Sequence, residues 1–324
     1  MPQKVINAFA DHAPISVDSQ AKQGLITGDN DRFLKLWQEV DVNRFCWNAS
    51  SRQQAQTSGA KWFPFHKGGG FRKWYGNHAF IVNWENDGIE LQNFVDSAGK
   101  LRSRPQSMDF YFLPGVTWTS VTISTFNSRF CSGGFIYSEP GPVLHNDSVD
   151  ELMFLCAYLN SKPADDMLQL IAPAMHFNQG HIGSLPVPML EEDKKSRIKD
   201  LTAAAIHLSK ADWDSSETSW EFFKSPLVRF KGRGITEAVT SLKENAELAA
   251  KELKQIEEEI NQTFIDYFDL QAESSADVDP KKISLNSNPY YRYEVDQIDE
   301  ARANRDTAAE FVSFSIGCMM GRYS

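Results

Sequence analysis

Residues 61–77, KWFPFHKGGGFRKWYGN, gather aromatic rings and positive charge around three consecutive glycines. Lysine and arginine attract phosphates, and aromatic faces stack on bases at about 1–3 kcal/mol per base. Glycine allows the backbone to approach a ligand closely. The combination predicts a loop that contacts nucleic acid, and the alternative is a β-rich core of aromatic residues with lysines at its rim. The candidate residues are Lys61, Lys67, Gly69, Arg72, Lys73 and Trp74.

A second candidate is the turn within GLITGDNDRF, residues 24–33. The Thr-Gly-Asp-Asn run predicts a tight turn that leads into a helix. Its backbone N–H groups and the Asn30 amide are suited to a phosphate or a base edge. The alternative is a plain helix cap made by Asp29 or Asn30. The candidate residues are Thr27, Gly28, Asp29, Asn30 and Arg32.

Further candidates lie in other polar loops. Arg102 and Arg104 form a basic turn in GKLRSRPQS, which we expect to face phosphates unless it is a solvated loop. Arg129 in FNSRFCSGGF and Asn178 in HFNQGHIG are single loop residues that could join the same surface.

The sequence predicts neither a catalytic nor a metal-binding residue. The phosphate-loop pattern G-x-x-x-x-G-K-[ST] and zinc-type histidine pairs are absent. The acids Asp87 and Glu90 lack the lysine of a nuclease centre. SNPYYRY, residues 287–293, approaches the N-P-P-Y motif of adenine methyltransferases, but Tyr290 replaces the second proline. The four separated cysteines are expected to be reduced thiols.

The charge is unevenly distributed along the chain of 324 residues, whose net charge is −10. Residues 1–190 carry 15 basic and 17 acidic side chains, whereas residues 191–324 carry 18 and 26. A basic patch in the nearly neutral first part can dominate the field within a Debye length of about 8–10 Å. The acidic total therefore does not exclude nucleic-acid binding. No apolar run is long enough to span a membrane, and the first residues lack a signal-peptide pattern, which indicates a cytoplasmic protein without a membrane partner.

The elements that must position these residues predict an α+β fold. A helix is expected over 29–40, and residues 183–190 are expected to be extended by two prolines. Residues rich in β-branched and aromatic side chains predict strands. The strands are expected over 79–84, 109–113, 115–123 and 133–137, and short helices over 149–161 and 165–171.

The second part of the chain predicts helices. A helix is expected over 191–214, a long one over 235–268 and a last one over 296–314, with a polar linker at 271–282. In the long helix, apolar or small residues follow a heptad pattern, which predicts packing in a bundle or, alternatively, a coiled-coil dimer. The heptad positions are Ile235, Val239, Leu242, Ala246, Ala249, Leu253, Ile256 and Ile260.

Together these stretches resemble one family. GLITGDNDRFLKLWQEV, KWFPFHKGGGFRKWYGN with IVNWENDG, LNSKPADDMLQLIAPAMHFNQGHIGSLPVP and IGCMMGRYS are similar to the middle and C-terminal part of the PglX family. These are the adenine-specific DNA methyltransferases of BREX phage-defence systems, with an architecture similar to type IIG restriction-modification enzymes. The family's S-adenosylmethionine turn and N-P-P-Y motif belong to an upstream domain and are absent from these residues, so no catalytic residue transfers.

The resemblance implies a β-rich, α+β target recognition domain over 1–190, a helical spacer with the long helix over 191–270, and a linker with a C-terminal helix over 271–324 that is expected to be truncated. Expected partners are double-stranded DNA, a catalytic methyltransferase domain in cis or in trans, and other BREX proteins. No cofactor is expected in this chain, although the family uses S-adenosylmethionine. Whether the chain has activity of its own stays open, and the alternative function is a protein-interaction scaffold that uses the long helix.

Overall fold

The computed structural model describes residues 3–122, 125–232 and 234–323. Its helices, numbered in chain order, are α1 Gln3–Asp11, α2 Asn30–Phe33, α3 Arg52–Thr57, α4 Glu85–Gln92, α5 Val149–Leu159, α6 Lys162–Ile171, α7 Gln179–Ser184, α8 Glu192–Trp213, α9 Ile235–Tyr267, α10 Pro289–Tyr293 and α11 Glu300–Met319. Its strands are β1 Gln20–Lys22, β2 Leu34–Leu36, β3 Trp62–His66, β4 Phe80–Asn83, β5 Gly115–Trp118, β6 Ser128–Cys131, β7 Ile136–Tyr137 and β8 Val143–His145. The fold is α+β, as the sequence predicts.

The described strands form two sheets of four strands each. One sheet has the order β1-β8-β5-β6 and is antiparallel throughout. The other has the order β2-β4-β3-β7, in which β7 runs parallel to β3 and the other pairs are antiparallel. Strands β2, β3 and β4 follow one another in the same sheet, and the connection between β3 and β4 pairs with β6 of the first sheet through Trp74.

The chain divides into two compact units, which are named here by their position. The N-terminal unit comprises Met1–Ala203 and Ile260–Ser275, and the C-terminal unit comprises Ala204–Glu259 and Ala276–Ser324. Both sheets lie in the N-terminal unit. Its aromatic core includes Phe33, Phe63, Phe65, Trp84, Tyr111, Phe112 and Tyr137. Helix α5 is buried along most of its length and packs against β5 and β6.

Most predicted elements correspond to observed ones with shifted ends. Helices α5, α6, α8, α9 and α11 occupy the expected positions, and β4 lies within 79–84. The expected strand 115–123 is regular only over β5, and its last residue, Ile123, lies outside the described residues. The expected strand 133–137 is reduced to β7 because Gly133 and Gly134 have φ angles of 106° and 87°.

Two predicted elements were wrong. The expected helix over 29–40 ends at Phe33, because Leu34–Leu36 pairs with β4, with Leu34 opposite Val82. Strand pairing in the core therefore overrides the local helix signal. The expected strand over 109–113 is a 3-10 turn at Met108–Phe110, and Phe112 adopts a left-handed φ of 70° that no regular strand contains.

The heptad positions of α9 differ in burial along the helix. Leu253, Ile256 and Ile260 are buried, so this end of the stripe packs inside the chain. Ile235 is exposed, and the positions between are half-buried. Packing as in a bundle therefore accounts for the C-terminal end of the stripe.

None of the described helices is both long and apolar enough to cross a membrane.

Candidate nucleic-acid interface

The glycine-rich loop between β3 and β4 lies against its own end and against the residue that follows β5. Gly69 has a φ of 148°, and a Cβ atom there would lie 2.7 Å from the Asn77 amide nitrogen. The backbone oxygen of Gly69 accepts a hydrogen bond of 3.1 Å from the Thr119 hydroxyl group. The glycines therefore allow close packing of protein against protein, although Gly69 itself is exposed.

The second part of this loop enters the protein. Arg72, Lys73 and Trp74 are all buried, and Trp74 is fully enclosed. The Trp74 N–H group donates to the Ser128 carbonyl oxygen at 2.9 Å, and the Phe130 N–H group donates to the Trp74 carbonyl oxygen at 2.9 Å. The segment thus covers the free edge of β6, as a sheet edge requires. The structure places these three side chains inside the protein, and their contact with DNA stays a prediction.

Arg129 is also buried rather than presented on a loop. Its guanidinium group donates hydrogen bonds to the Arg72 carbonyl oxygen at 3.0 Å and to the Asn127 side-chain oxygen at 2.8 Å. A buried arginine must be satisfied by such acceptors. Its observed contacts join β6 to the covering segment, and its contact with DNA stays a prediction.

Lys67, at the start of the loop, lines a cavity of about 300 Å³ together with the turn 27–30. Its Nζ atom lies 4.5 Å from the centre of the Phe80 ring, which holds the cation in a cation–π contact. The apolar floor of the cavity includes Leu25, Leu34 and Phe65. Apolar lining residues with a few polar groups are typical of a site for a small ligand or group.

The turn itself is held by its own side chains. Asp29 caps α2 by accepting a hydrogen bond of 3.1 Å from the Arg32 N–H group, as the alternative interpretation predicts. The Thr27 hydroxyl group donates to the Asn30 side-chain oxygen at 2.6 Å. The amide NH₂ of the exposed Asn30 is therefore the part that stays available as a donor.

The basic turn at 102–104 lies beside this cavity. The backbones of Ile26 and Arg104 exchange hydrogen bonds of 3.0 and 2.7 Å. The Arg102 guanidinium group donates to the Gly28 carbonyl oxygen at 3.0 Å and lies 5.1 Å from the Phe94 ring centre. Both arginines are exposed. Within residues 3–122, 125–232 and 234–323, no carboxylate pairs with Lys67, Arg102 or Arg104.

We call Thr27, Asn30, Lys67, Arg102 and Arg104 the recognition patch. It brings together three segments that are distant in the sequence. The cavity also has two acidic side chains, Asp29 and Glu139. Carboxylates repel phosphates but accept hydrogen bonds from the amino groups of bases.

The other predicted residues lie apart from the patch or have structural partners. Arg32 pairs with Glu90 at 2.7 Å. Lys61 lies 3.8 Å from Glu85 and faces the Trp62 ring. Asn178 caps α7 by accepting a hydrogen bond from the His181 N–H group at 3.0 Å.

The structure accounts for the motifs that resemble catalytic centres. Asn288 of SNPYYRY is buried and donates to the carbonyl oxygens of Pro280 and Ile283. Burial raises the pKa of the thiols of Cys131 and Cys156 to about 12, so neither is a ready nucleophile. Among the described residues, no group of three side chains is arranged to hold a metal ion.

Two buried histidines of the N-terminal unit, His66 and His145, have lowered pKa values. Burial lowers the pKa of His145 to about 4, and its Nδ1 atom contacts the Pro114 carbonyl oxygen at 2.9 Å. Burial also lowers the pKa of His66, assisted by the charges of His78 and Arg129. His66 stacks on Phe135 with a centroid distance of 4.0 Å. The lowered pKa values keep His66 and His145 neutral in the core.

Sequence reasoning missed Phe80, Phe94 and Glu139. The two rings hold cations of the patch, and the acid lines its cavity. They come from segments that have no recognisable binding pattern, so their role depends on the fold.

No model of a known protein family matches the chain. The chain is 36% identical over 315 residues to the "Adenine-specific methyltransferase BrxX" of Escherichia coli O9:H4 (strain HS). It is 32% identical over 310 residues to the "Adenine-specific methyltransferase PglX" of Lacticaseibacillus casei (strain Zhang). These matches cover 95% and 94% of the chain. They cover 24% of each relative, so the chain spans about a quarter of the length of the curated relatives it matches.

Proposed function

The chain is a relative of the adenine-specific methyltransferases named BrxX and PglX, and we propose that it is the DNA target-recognition part of a BREX-type methyltransferase that modifies adenine at N6. The N-terminal unit binds double-stranded DNA. It positions the duplex for a catalytic domain that acts in cis or in trans.

The recognition patch is the observation that carries this proposal. Lys67, Arg102 and Arg104 are cations without carboxylate partners in the described part of the chain. They lie at or beside a cavity whose rim includes Asn30. Cations that are not neutralised locally attract phosphates, whereas side-chain amides read base edges.

The geometry of the patch gives its cations and Asn30 different roles. Arg102 and Lys67 are held by the rings of Phe94 and Phe80, so their side chains lose less freedom when they bind phosphate. Asn30 presents its NH₂ group because Thr27 occupies the amide oxygen. The cations position the duplex, and Asn30 reads an acceptor on a base edge.

Methyl transfer is assigned to a separate catalytic domain. SNPYYRY has no second proline, and its asparagine is committed to backbone carbonyl groups. S-adenosylmethionine is the cofactor of the whole enzyme under this proposal and binds to the catalytic domain.

Binding of a duplex as a function of salt tests the proposal. We expect the triple variant Lys67→Glu, Arg102→Glu, Arg104→Glu to bind more weakly. The slope of log K against log salt should fall by about 3, about one for each lost phosphate contact.

The matched control is Lys4→Glu, Lys195→Glu, Lys199→Glu. It changes the charge of the same unit equally, at cations that pair with Asp269, Glu151 and Asp150. Equal slopes for the two triple variants would refute the assignment of the patch.

A second candidate function is the protein-interaction scaffold. Ile235 and Leu248 of α9 are 66% and 65% exposed, which favours an apolar contact by this helix. Light scattering of the purified chain tests it. If the chain is a strict monomer that binds DNA and captures no other BREX protein, the scaffold function is refuted.

A further inference from the structure

A basic segment at 223–231 in the C-terminal unit is fixed at both sides by buried neighbours. The ring of Phe222 contacts Phe314 and Tyr323, with centroid distances of 5.9 and 5.3 Å. Ser225 and Leu227 are buried. A 3-10 helix at Pro226–Phe230 follows, so the segment is an ordered part of the unit.

Four side chains of this segment project to the surface. Phe223 is 75% exposed, next to the anchored Phe222. Lys224, Arg229 and Lys231 are also exposed. An exposed phenylalanine leaves a large apolar face in water, which is unfavourable unless a partner covers it.

The cations of this segment differ from other cations of the C-terminal unit in their pairing with carboxylates. Lys254 pairs with Asp277 at 3.0 Å, and Lys281 pairs with Asp296 at 2.7 Å. Lys243 pairs with Glu300. In the parts of the chain that the structure describes, no carboxylate pairs with Lys224, Arg229 or Lys231.

We propose that segment 223–231 is a second DNA-binding site, separate from the recognition patch. Lys224, Arg229 and Lys231 bind phosphodiester groups, and Phe223 stacks on a base where a strand is unpaired. Cations alone would also suit an acidic protein. The exposed flat ring beside them favours nucleic acid, because each base offers a face for stacking. The contacts carry no sequence information, so this site adds affinity and not specificity.

The experiment measures binding of the full chain to a fluorescent duplex over a range of salt concentrations. The variant Lys224→Glu, Arg229→Glu, Lys231→Glu should lower the slope of log K against log salt by about 2–3. The variant with glutamine at the same three positions should lower it by a similar amount. Because these positions are exposed, both variants should retain the thermal unfolding of the wild type.

The matched control reverses Lys243, Lys254 and Lys281 to glutamate. It makes the same change of charge in the same unit, at cations that carboxylates already neutralise. We expect a smaller loss of affinity. Equal losses for the two variants would overturn the proposal, because the effect would then come from total charge.

Phe223→Ala and Phe223→Leu test the stacking contact. Both should weaken binding of single-stranded DNA about tenfold and leave duplex binding nearly unchanged. Unchanged single-strand binding would overturn the role of the ring. The variant Lys224→Glu, Arg229→Glu, Lys231→Glu could keep its DNA binding and lose binding to polyglutamate. This result would overturn the proposal and favour an acidic protein as the partner. The variant Lys67→Glu, Arg102→Glu, Arg104→Glu leaves segment 223–231 intact. It therefore tests the proposed function separately from this second site.

Discussion

The guanidinium group of Arg102 donates a hydrogen bond of 3.0 Å to the carbonyl oxygen of Gly28. This contact joins two turns that are separated by 74 residues in the chain. It holds a cation at the edge of the cavity with its charge uncompensated by a carboxylate of the described chain. The position of the recognition patch therefore depends on the backbone of Gly28.

Gly28→Ala should destabilise the protein and weaken DNA binding. Gly28 has a φ of 72°, and a Cβ atom there would lie 2.6 Å from the Arg102 carbonyl oxygen. We expect the free energy of unfolding to fall by about 1–2 kcal/mol because of the left-handed backbone, and by about 1–3 kcal/mol more because of the clash. Urea denaturation measures the change.

Gly59→Ala is the control for this prediction. Gly59 has a similar φ of 66° with no neighbouring atom within 4 Å of a Cβ. The Gly59→Ala variant should lose only the stability that the left-handed backbone costs, and it should retain DNA binding. Equal losses of stability at the two positions would contradict the account of the Gly28 contact.

Thr27→Val should reduce sequence discrimination more than affinity. The substitution keeps the shape of the buried side chain and removes the donor that orients the Asn30 amide. Discrimination at one base pair should fall by about 1 kcal/mol or more. Selection from a random duplex pool measures it, with the exposed Thr57→Val as the control. Equal enrichment of one motif by wild type and Thr27→Val would show that Asn30 does not read a base.

Arg129→Gln should lower the free energy of unfolding by about 3 kcal/mol, because two buried acceptors lose their charged donor. The half-exposed pair of Arg44 with Glu85 gives the comparison, since Arg44→Gln should cost about 0–1 kcal/mol. At temperatures where both variants are folded, the salt slope of DNA binding should be unchanged. A slope lowered by about 1 in Arg129→Gln would support the prediction that Arg129 contacts a phosphate.

His145 should make stability depend on pH between 6.5 and 4. Its pKa is about 4 in the folded protein, below the ordinary 6.5 of the unfolded chain. In this range the unfolded chain binds the proton and the folded protein does not. The free energy of unfolding therefore falls as the pH falls, by up to about 3 kcal/mol.

His145→Asn should flatten this dependence relative to the wild type, and the lowered pKa of His66 leaves a remaining slope of the same sign. Urea denaturation at several pH values measures both. His207→Asn, at an exposed position, controls for the replacement of a histidine. A profile for His145→Asn that parallels the wild type would contradict the buried, neutral state of His145.

The sequence predicted the α+β class and the long helix because composition and periodicity determine them locally. It placed Lys67, Arg102, Arg104 and Asn30 among the candidates by residue type. It could not separate them from Arg72 and Lys73, because the burial of these two follows from the pairing of Trp74 with β6. That pairing joins segments more than 50 residues apart and leaves no local pattern.

The helix expected over 29–40 failed for the same reason. The local helix signals are correct up to Phe33. Leu34 then pairs with Val82 of β4, a strand that lies far away in the sequence. The rings of Phe80 and Phe94 were missed because a cation–π partner is defined only by the fold.

Photo-crosslinking to a duplex tests the recognition patch most directly. A photoreactive amino acid placed at position 67 or 104 should crosslink to DNA, and one placed at the control position 199 should not. Crosslinks should disappear at salt concentrations that abolish binding. If the protein binds DNA and positions 67 and 104 crosslink no more than position 199, the recognition patch is not the surface that holds the duplex.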